Sequence, residues 1–339
     1  MATIKDVAKQ AGVAISTVSY ALSGTRPVAK ETRERILRAV EELNYHPNLL
    51  ASAMIQKRTR IIALLYPALF MSSMEDLPME YITSITDVTY QHGYELLLVL
   101  HPIGEPELMR FINQGLVDGV ILMEVHRQDP RVDLMKRCGY PFSLIGHGDD
   151  NTDVSFVDMD FFTAYRSAVT HLVELGHHTI GFLPGIVDLD YLPHNYLFES
   201  VRGFRDTVAQ LGIQGTILAC EPTIQSGYAA MQTLLDQQPE LTAVIVVNEL
   251  IFNGASKAIR ERNLTVPDDI SIIATISRRL AEKYTPKVTT VSVPAIEMGR
   301  LGAEFLIQKL EDSAFKPQQV LLSAEFTLSQ STGPRKQRA

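Results

Sequence analysis

Cysteine is scarce: Cys138 and Cys220 are the only two in 339 residues. That is too few for a disulfide framework, so the expectation is a cytoplasmic chain with reduced thiols. Long hydrophobic runs are lacking as well. The longest near-apolar stretch, Ile61 to Met71, covers 11 residues and contains Pro67. A bilayer span needs roughly 20 such residues, and no membrane partner is expected. The opening Met-Ala-Thr-Ile-Lys-Asp has no apolar core of a secretion signal. Catalytic signatures are missing too: there is no Walker A, no Gly-x-Gly-x-x-Gly and no Gly-x-Ser-x-Gly. The 9 histidines include the pair His177-His178 but no His-Glu-x-x-His. His171 and His177 fall on different helix faces. Hence no enzyme, metal or cofactor is expected. Net positive charge is also absent: the formal charge is −8, which argues against a nucleic-acid partner if taken as a whole.

What is present is an ordinary globular composition, with 46% hydrophobic and 21% charged residues. The length suggests about two domains. The charge is not evenly spread. Residues 1–60 carry ten Lys/Arg against five Asp/Glu, a charge of +5, which leaves −13 for residues 61–339. A short basic module joined to a large acidic body suggests that only the first part meets a polyanion.

Helix signals are dense in that first part. Thr3 precedes Ile4, Val7, Ala8 and Ala11, one apolar stripe, with Asp6 placed as in a capping box. Gly12 suits the left-handed end of this helix, and Val13-Ala14 makes a very short link. A second helix is expected from Ile15 to about Leu22, with Val18, Ala21 and Leu22 inward. Ser23-Gly24-Thr25-Arg26-Pro27 ends it. A third runs from about Lys30 to Asn44, with Ile36, Leu37, Val40 and Leu43 inward. Three helices with a tight first turn make a helix-turn-helix bundle. The outer face of the second helix carries Ile15, Ser16, Ser19 and Tyr20, suited to base edges and phosphates. Packing of Ile15 and Tyr20 on the protein itself is the plain alternative.

The chain resembles the lactose-repressor (LacI/GalR) family of bacterial transcription regulators. The resemblance rests on Thr3-Ile4-Lys5-Asp6-Val7-Ala8, Ala11-Gly12-Val13, Ser16-Thr17-Val18-Ser19, Glu31-Thr32-Arg33 and Tyr45-His46-Pro47-Asn48-Leu49-Leu50-Ala51. It implies a second helix in the major groove of a double-stranded DNA operator. Ile15, Ser16 and Tyr20 would read bases, with Thr17, Ser19 and Thr3 at phosphates or neighbouring bases. It also implies a short hinge helix over residues 48–56, carrying Ala51, Ser52 and Met54 into the minor groove of a palindrome bound by a homodimer. Met54 stands where the family usually has a Leu wedge and Ser52 where it often has Arg. Ala14 replaces the usual capping Ser.

After Arg60, apolar β-type runs alternate with amphipathic helical ones. The runs are 61–66, 95–101, 119–124, 142–146, 179–183, 243–248, 271–276 and 288–293; helical patterns fill 81–91, 105–114, 163–175, 201–211, 229–237, 250–262 and 296–310. Such alternation means parallel sheets covered by helices, and the size calls for two α/β lobes. Family-like stretches continue, among them Gln114 to Ile121, His171 to His177, Arg202-Gly203-Phe204 and Val266 to Ser271. They imply a two-lobed periplasmic-binding-protein-like body in which the chain crosses between lobes near 158, 287 and 319. The expected organisation is a head over 1–46, a hinge and linker over 47–60, and a sensing and dimerisation body over 61–335. Its N-lobe is expected at about 61–157 and 288–318, its C-lobe at about 158–287 and 319–332.

Loops at the carboxyl ends of parallel strands make a crevice. Candidates for holding a small-molecule effector there are His147 as donor or acceptor, Asn248 and Glu249 at a strand end, and Tyr196, Phe198, Phe70 and Met71 as apolar walls. Arg202 opens a helix after such a loop, and its guanidinium suits hydroxyl, carboxylate or phosphate groups; the resemblance implies that it holds effector, and that Glu249 takes the place of the family's usual Asp. An interlobe ion pair is the alternative for Arg202, and ordinary loop packing for the others. A carboxylate the family often has after residue 273 is missing from Ala274-Thr275-Ile276-Ser277. The expected protein is a repressor answering a sugar or related metabolite. An activator or corepressor-dependent repressor is not separable from it. A transport component or an α/β enzyme would call for a secretion signal or a phosphate loop.

Overall fold

The structure, a computed structural model, describes residues 2–23, 26–45, 58–67, 76–312 and 314–336. The expected hinge contacts Ala51, Ser52 and Met54, and the wall residues Phe70 and Met71, lie outside the described residues. The chain divides into two compact units: residues 1–60 with 115–118, and 61–114 with 119–339.

In the first unit, α1 (Ile4–Ala11), α2 (Ile15–Ser23) and α3 (Lys30–Glu42) form a bundle. The Asp6 carboxylate accepts from the Thr3 backbone N–H at 2.8 Å and from its hydroxyl at 2.7 Å, so the first turn of α1 is tied down at both ends of the cap. Gly12 ends α1 at φ +65°, a conformation that costs a side chain dearly and glycine nothing. Val7, Val18 and Ile36 are fully buried, joined by Ala8, Ala11, Ala21 and Ala39. One expectation on α3 changes. Leu37 is 48% exposed, and the small Ala39 takes the inward position instead. Ile36, Ala39, Val40 and Leu43 suffice to meet the other two helices, which leaves Leu37 on the outer side of the stripe.

The second unit contains two six-stranded sheets. Its elements, in chain order, are β1 (Ile61–Leu65), α4 (Asp76–Gln91), β2 (Glu95–Val99), α5 (Glu105–Gln114), β3 (Gly119–Leu122), α6 (Pro130–Cys138), β4 (Phe142–Ile145), β5 (Phe156–Met159), α7 (Phe161–Glu174), β6 (Thr179–Leu183), α8 (Asn195–Leu211), β7 (Gln214–Ile217), α9 (Ile224–Gln237), β8 (Ala243–Val247), α10 (Glu249–Glu261), β9 (Ser271–Thr275), α11 (Arg278–Ala281), β10 (Thr289–Ser292), α12 (Ala295–Glu311), β11 (Gln319–Leu322) and β12 (Glu325–Thr327). The first sheet runs β11-β5-β4-β3-β1-β2 and the second β12-β10-β9-β8-β6-β7. All pairings are parallel except β10 with β12. Central strands such as β1, β3 and β8 are apolar along nearly their whole length and buried on both faces, as parallel strands under two helix layers must be. No helix among the described residues is long and apolar enough to cross a membrane.

The lobe crossings fall later than the expected 287 and 319. Strand β10 pairs with β9 in the second sheet, and β11 pairs with β5 in the first. The chain therefore changes lobe after Ser292 and again after Leu322, and residues 288–292 and 319–322 exchange the lobes expected for them. Each late strand finds an open sheet edge before the chain turns, and pairing there satisfies its backbone groups. The helix between them, α12, lies on α4 and on β4, where Gly302 leaves room for Ile145. In the second lobe α9 and α10 pack so closely that a Cβ on Gly254 would overlap the Ile224 carbonyl and the Tyr228 backbone N.

Candidate functional site

The first unit presents the face expected to read DNA. On α2, Val18 points into the core, whereas Ile15, 44% exposed, and Ser16 face outward. Thr17, Ser19 and Tyr20 are half-buried, and Thr3 at the head of α1 is exposed. Tyr20 stays on the surface under the guanidinium of Arg26, 5.0 Å above its ring centre. That contact fixes the ring without burying it. Lys5, Lys9, Arg33, Arg35 and Arg38 are exposed on the same unit, supplying charge that attracts phosphates.

The second unit holds a cavity of about 240 Å³ where the carboxyl ends of the two sheets face one another. From the first lobe come Tyr66, Tyr81, Glu124, Gly146, His147 and Asp158. From the second come Phe161, Tyr165, Asn195, Tyr196, Asn248 and Thr275, with Glu249 beside them. The lobes touch at its edge, where the Arg127 backbone N–H donates to the Pro193 carbonyl at 2.6 Å. Asn248 sits at φ +60° and its side-chain oxygen caps α10 by accepting from the Ile251 N–H at 3.0 Å. Glu249, the first residue of α10, accepts from the Tyr284 hydroxyl at 3.3 Å.

A chain of polar groups crosses the cavity. Asp158 accepts from His147 Nδ1 at 2.7 Å, and Asn195 Nδ2 donates to His147 Nε2 at 2.6 Å. The amide on one side and the carboxylate on the other set the ring's tautomer, with its proton on Nδ1. Burial pushes the Asp158 carboxyl up, against the lowering effect of His147. Glu124, at φ +50° just past β3, is pushed up to about 7. Burial is the main cause, and the neighbouring Asp158 charge adds to it; the Tyr196 hydroxyl at 3.3 Å and Arg131 act the other way. His194 Nε2 lies 3.5 Å from Glu124, but burial, helped by His126 and Arg131, lowers His194 to about 4, so the ring is neutral near pH 7. Arg131 is already committed: it pairs with Asp129 at 2.6 Å and donates to the Glu124 main-chain carbonyl at 2.9 Å.

Of the residues singled out from the sequence, His147, Tyr196, Asn248 and Glu249 meet around this cavity. Arg202 and Phe198 are not among its lining residues. Arg202 pairs with Glu199 at 2.9 Å, is about half exposed, and lies 4.6 Å from the centre of the Phe162 ring. Phe198 is covered by Arg127 at 4.0 Å. Sequence reasoning missed Glu124, Asp158, Asn195 and the walls Tyr66, Tyr81, Phe161 and Tyr165. For Glu124 a sign was available: it directly follows the apolar run that ends at Met123, at the carboxyl end of a strand.

Comparison with known proteins matches both parts of the chain to one family. Residues 3–48 match the bacterial regulatory proteins of the lacI family, and residues 169–332 match a periplasmic binding protein-like domain. The transcriptional repressor PurR of Haemophilus influenzae is 32% identical over 321 residues, covering 91% of each chain. The transcriptional regulator CelR of Thermobifida fusca is 28% identical over 97% of this chain and 98% of its own. A solved CelR–cellobiose complex matches with a TM-score of 0.72 at 27% identity, over 98% of this chain and 100% of that one. The lac repressor dimer bound to operator shares the fold, with a TM-score of 0.84 at 24% identity over 98% and 99% of the two chains. With so much of its length aligned to a repressor at this identity, the chain belongs to the lacI family of bacterial regulatory proteins and is a DNA-binding transcriptional regulator.

Proposed function

We propose that this regulator is a cytoplasmic, non-catalytic repressor that binds a palindromic duplex operator as a homodimer and answers a small molecule held in the cavity between its lobes. The observation that carries the reading is the helix-turn-helix whose second helix leaves Ile15 and Ser16 outward beside the surface ring of Tyr20. Thr3, Thr17 and Ser19 then take phosphates or adjoining bases, and Ala51, Ser52 and Met54 take the minor groove between half-sites. The lac repressor dimer on its operator supports the dimer, and the cellobiose complex of CelR supports a small effector in the cleft. A ligand that prefers one closure of the lobes shifts the population of that state and with it operator affinity.

Selection of binders from random duplex DNA tests the first half. A two-fold symmetric consensus, bound by two chains per duplex in sedimentation, is the expected result. An unsymmetrical consensus bound by one chain refutes the dimer reading. A promoter carrying that consensus should fall silent when the protein is expressed; activation would reverse the sign of regulation.

A further inference from the structure

The cavity is unusual in its charge. Three carboxylates, Glu124, Asp158 and Glu249, line it together with the rings of Tyr66, Tyr81, Phe161, Tyr165 and Tyr196, and among the described residues no lysine or arginine lines it. Residues 68–75, which follow the first strand, contain no Lys or Arg in their sequence either. The nearest buried guanidinium, Arg131, is occupied by Asp129 and by main-chain carbonyls. His147 is matched to Asp158. Glu124 is left with a tyrosine hydroxyl at 3.3 Å and the far nitrogen of a histidine at 3.5 Å. A carboxylate taken out of water without a cation is costly, and a ligand that brings the cation removes that cost.

An anionic effector meets the opposite situation. A phosphate or carboxylate would have to lose its water beside three acids with no guanidinium or ammonium to replace it. Aromatic faces reinforce the preference, because the negative face of a ring attracts an ammonium and repels an anion. Resting on the cleft reading above, we infer that the effector of this regulator is a small organic cation, a protonated amine on a ring-sized body, with its ammonium at Glu124 and its body against the tyrosine walls.

Matched probes decide this. One set is tyramine, its neutral alcohol 4-hydroxyphenylethanol and its anion 4-hydroxyphenylacetate; the other is glucosamine, glucose and glucuronate. Each is titrated at millimolar concentration into the full-length protein at pH 7, and the melting temperature and binding heat are recorded. The expected order in at least one set is cation, then neutral, then anion. Glu124→Gln should reduce the cation's affinity about tenfold or more, the loss typical of a hydrogen bond to a charged group, while leaving the neutral probe within about twofold. No response to either amine, or tighter binding of the neutral or anionic member in both sets, overturns the inference. A cavity-filling Leu197→Trp variant with a cooperative melt separates the two levels. Glucose or glucuronate lost in that variant means that the cleft binds ligand but not a cation. Amine binding unchanged by both substitutions means that the cleft is not the effector site.

Discussion

Glu124 sets up a reversal of the usual pH dependence of a carboxylate, and it can be measured without knowing any ligand. In the unfolded chain the side chain ionises near its ordinary 4.5, whereas in the folded protein it holds its proton up to about 7. Between those values the folded state binds the extra proton, so stability is greatest below pH 4.5 and falls as pH rises through 7. A shift of this size corresponds to about 3 kcal/mol in full, of which about 2–3 kcal/mol develops between pH 5 and pH 8. Glu124→Gln keeps a side-chain oxygen to accept from the Tyr196 hydroxyl and removes the titration. Urea unfolding of the two proteins at pH 5 and pH 8 gives the comparison. The variant should match the wild type within about 1 kcal/mol at pH 5 and exceed it by about 2–3 kcal/mol at pH 8. For a unit of this size that is roughly 5 °C or more in melting temperature. A variant equally or less stable than the wild type at pH 8 would refute the account of Glu124 as a partly buried acid whose proton the fold holds more tightly.

The remaining expectations concern the other elements. Ile36→Ala empties the centre of the head and should destabilise it by about 2–5 kcal/mol, seen as loss of its helical signal at lower urea while the second unit's transition stays put. Tyr20→Ala should weaken binding to the selected operator by about tenfold or more with the dimer intact; an unchanged affinity removes Tyr20 from the reading face. Gly254→Ala forces a methyl group against the α9 backbone and should cost about 1–3 kcal/mol or more, measured by chemical denaturation of the second unit. Operator affinity should fall steeply with salt, and charge-neutralising changes at Lys5 and Arg33 should flatten the slope; a slope near zero in the wild type contradicts phosphate contacts by the head.

The architecture was legible in the sequence wherever burial follows a simple period. Helices α1 and α2, the runs that became β1, β3 and β8, and their covering helices all carry apolar residues at the spacing their structure needs. Elements that escaped did so for specific reasons. Strand β5 is Phe156-Val157-Asp158-Met159, and its central Asp158 reads as a break in an apolar run; the acid is buried because His147 lies 2.7 Å away, which no local pattern reveals. Strand β7, Gln214-Gly215-Thr216-Ile217, is a polar edge held by β6 alone. Strands β11 and β12 were hidden because their partners, β5 and β10, lie well over a hundred and about thirty-five residues upstream, respectively.

The same physics explains why the cavity was only half visible. His147, Tyr196, Asn248 and Glu249 stand out because they follow strands and carry groups associated with ligands. Asp158 does not stand out, since a lone acid in a sequence is most often a solvated one, and for Glu124 the one sign is its place at the end of an apolar run. Their character comes from three-dimensional placement: burial raises the proton affinity of both, and the Asp158 charge raises that of Glu124 further, with Arg131 turned to Asp129 instead. Arg202 illustrates the converse. A guanidinium after a binding loop suggests a ligand clamp, yet here it pairs with Glu199 and rests on Phe162. Residue type and position along the chain therefore locate the cleft, whereas the sign of charge it accepts depends on which cations the fold has already spent on its own acids. That is the reason the regulator's specificity is better tested by matched ligands of opposite charge than by screening ligands of related proteins.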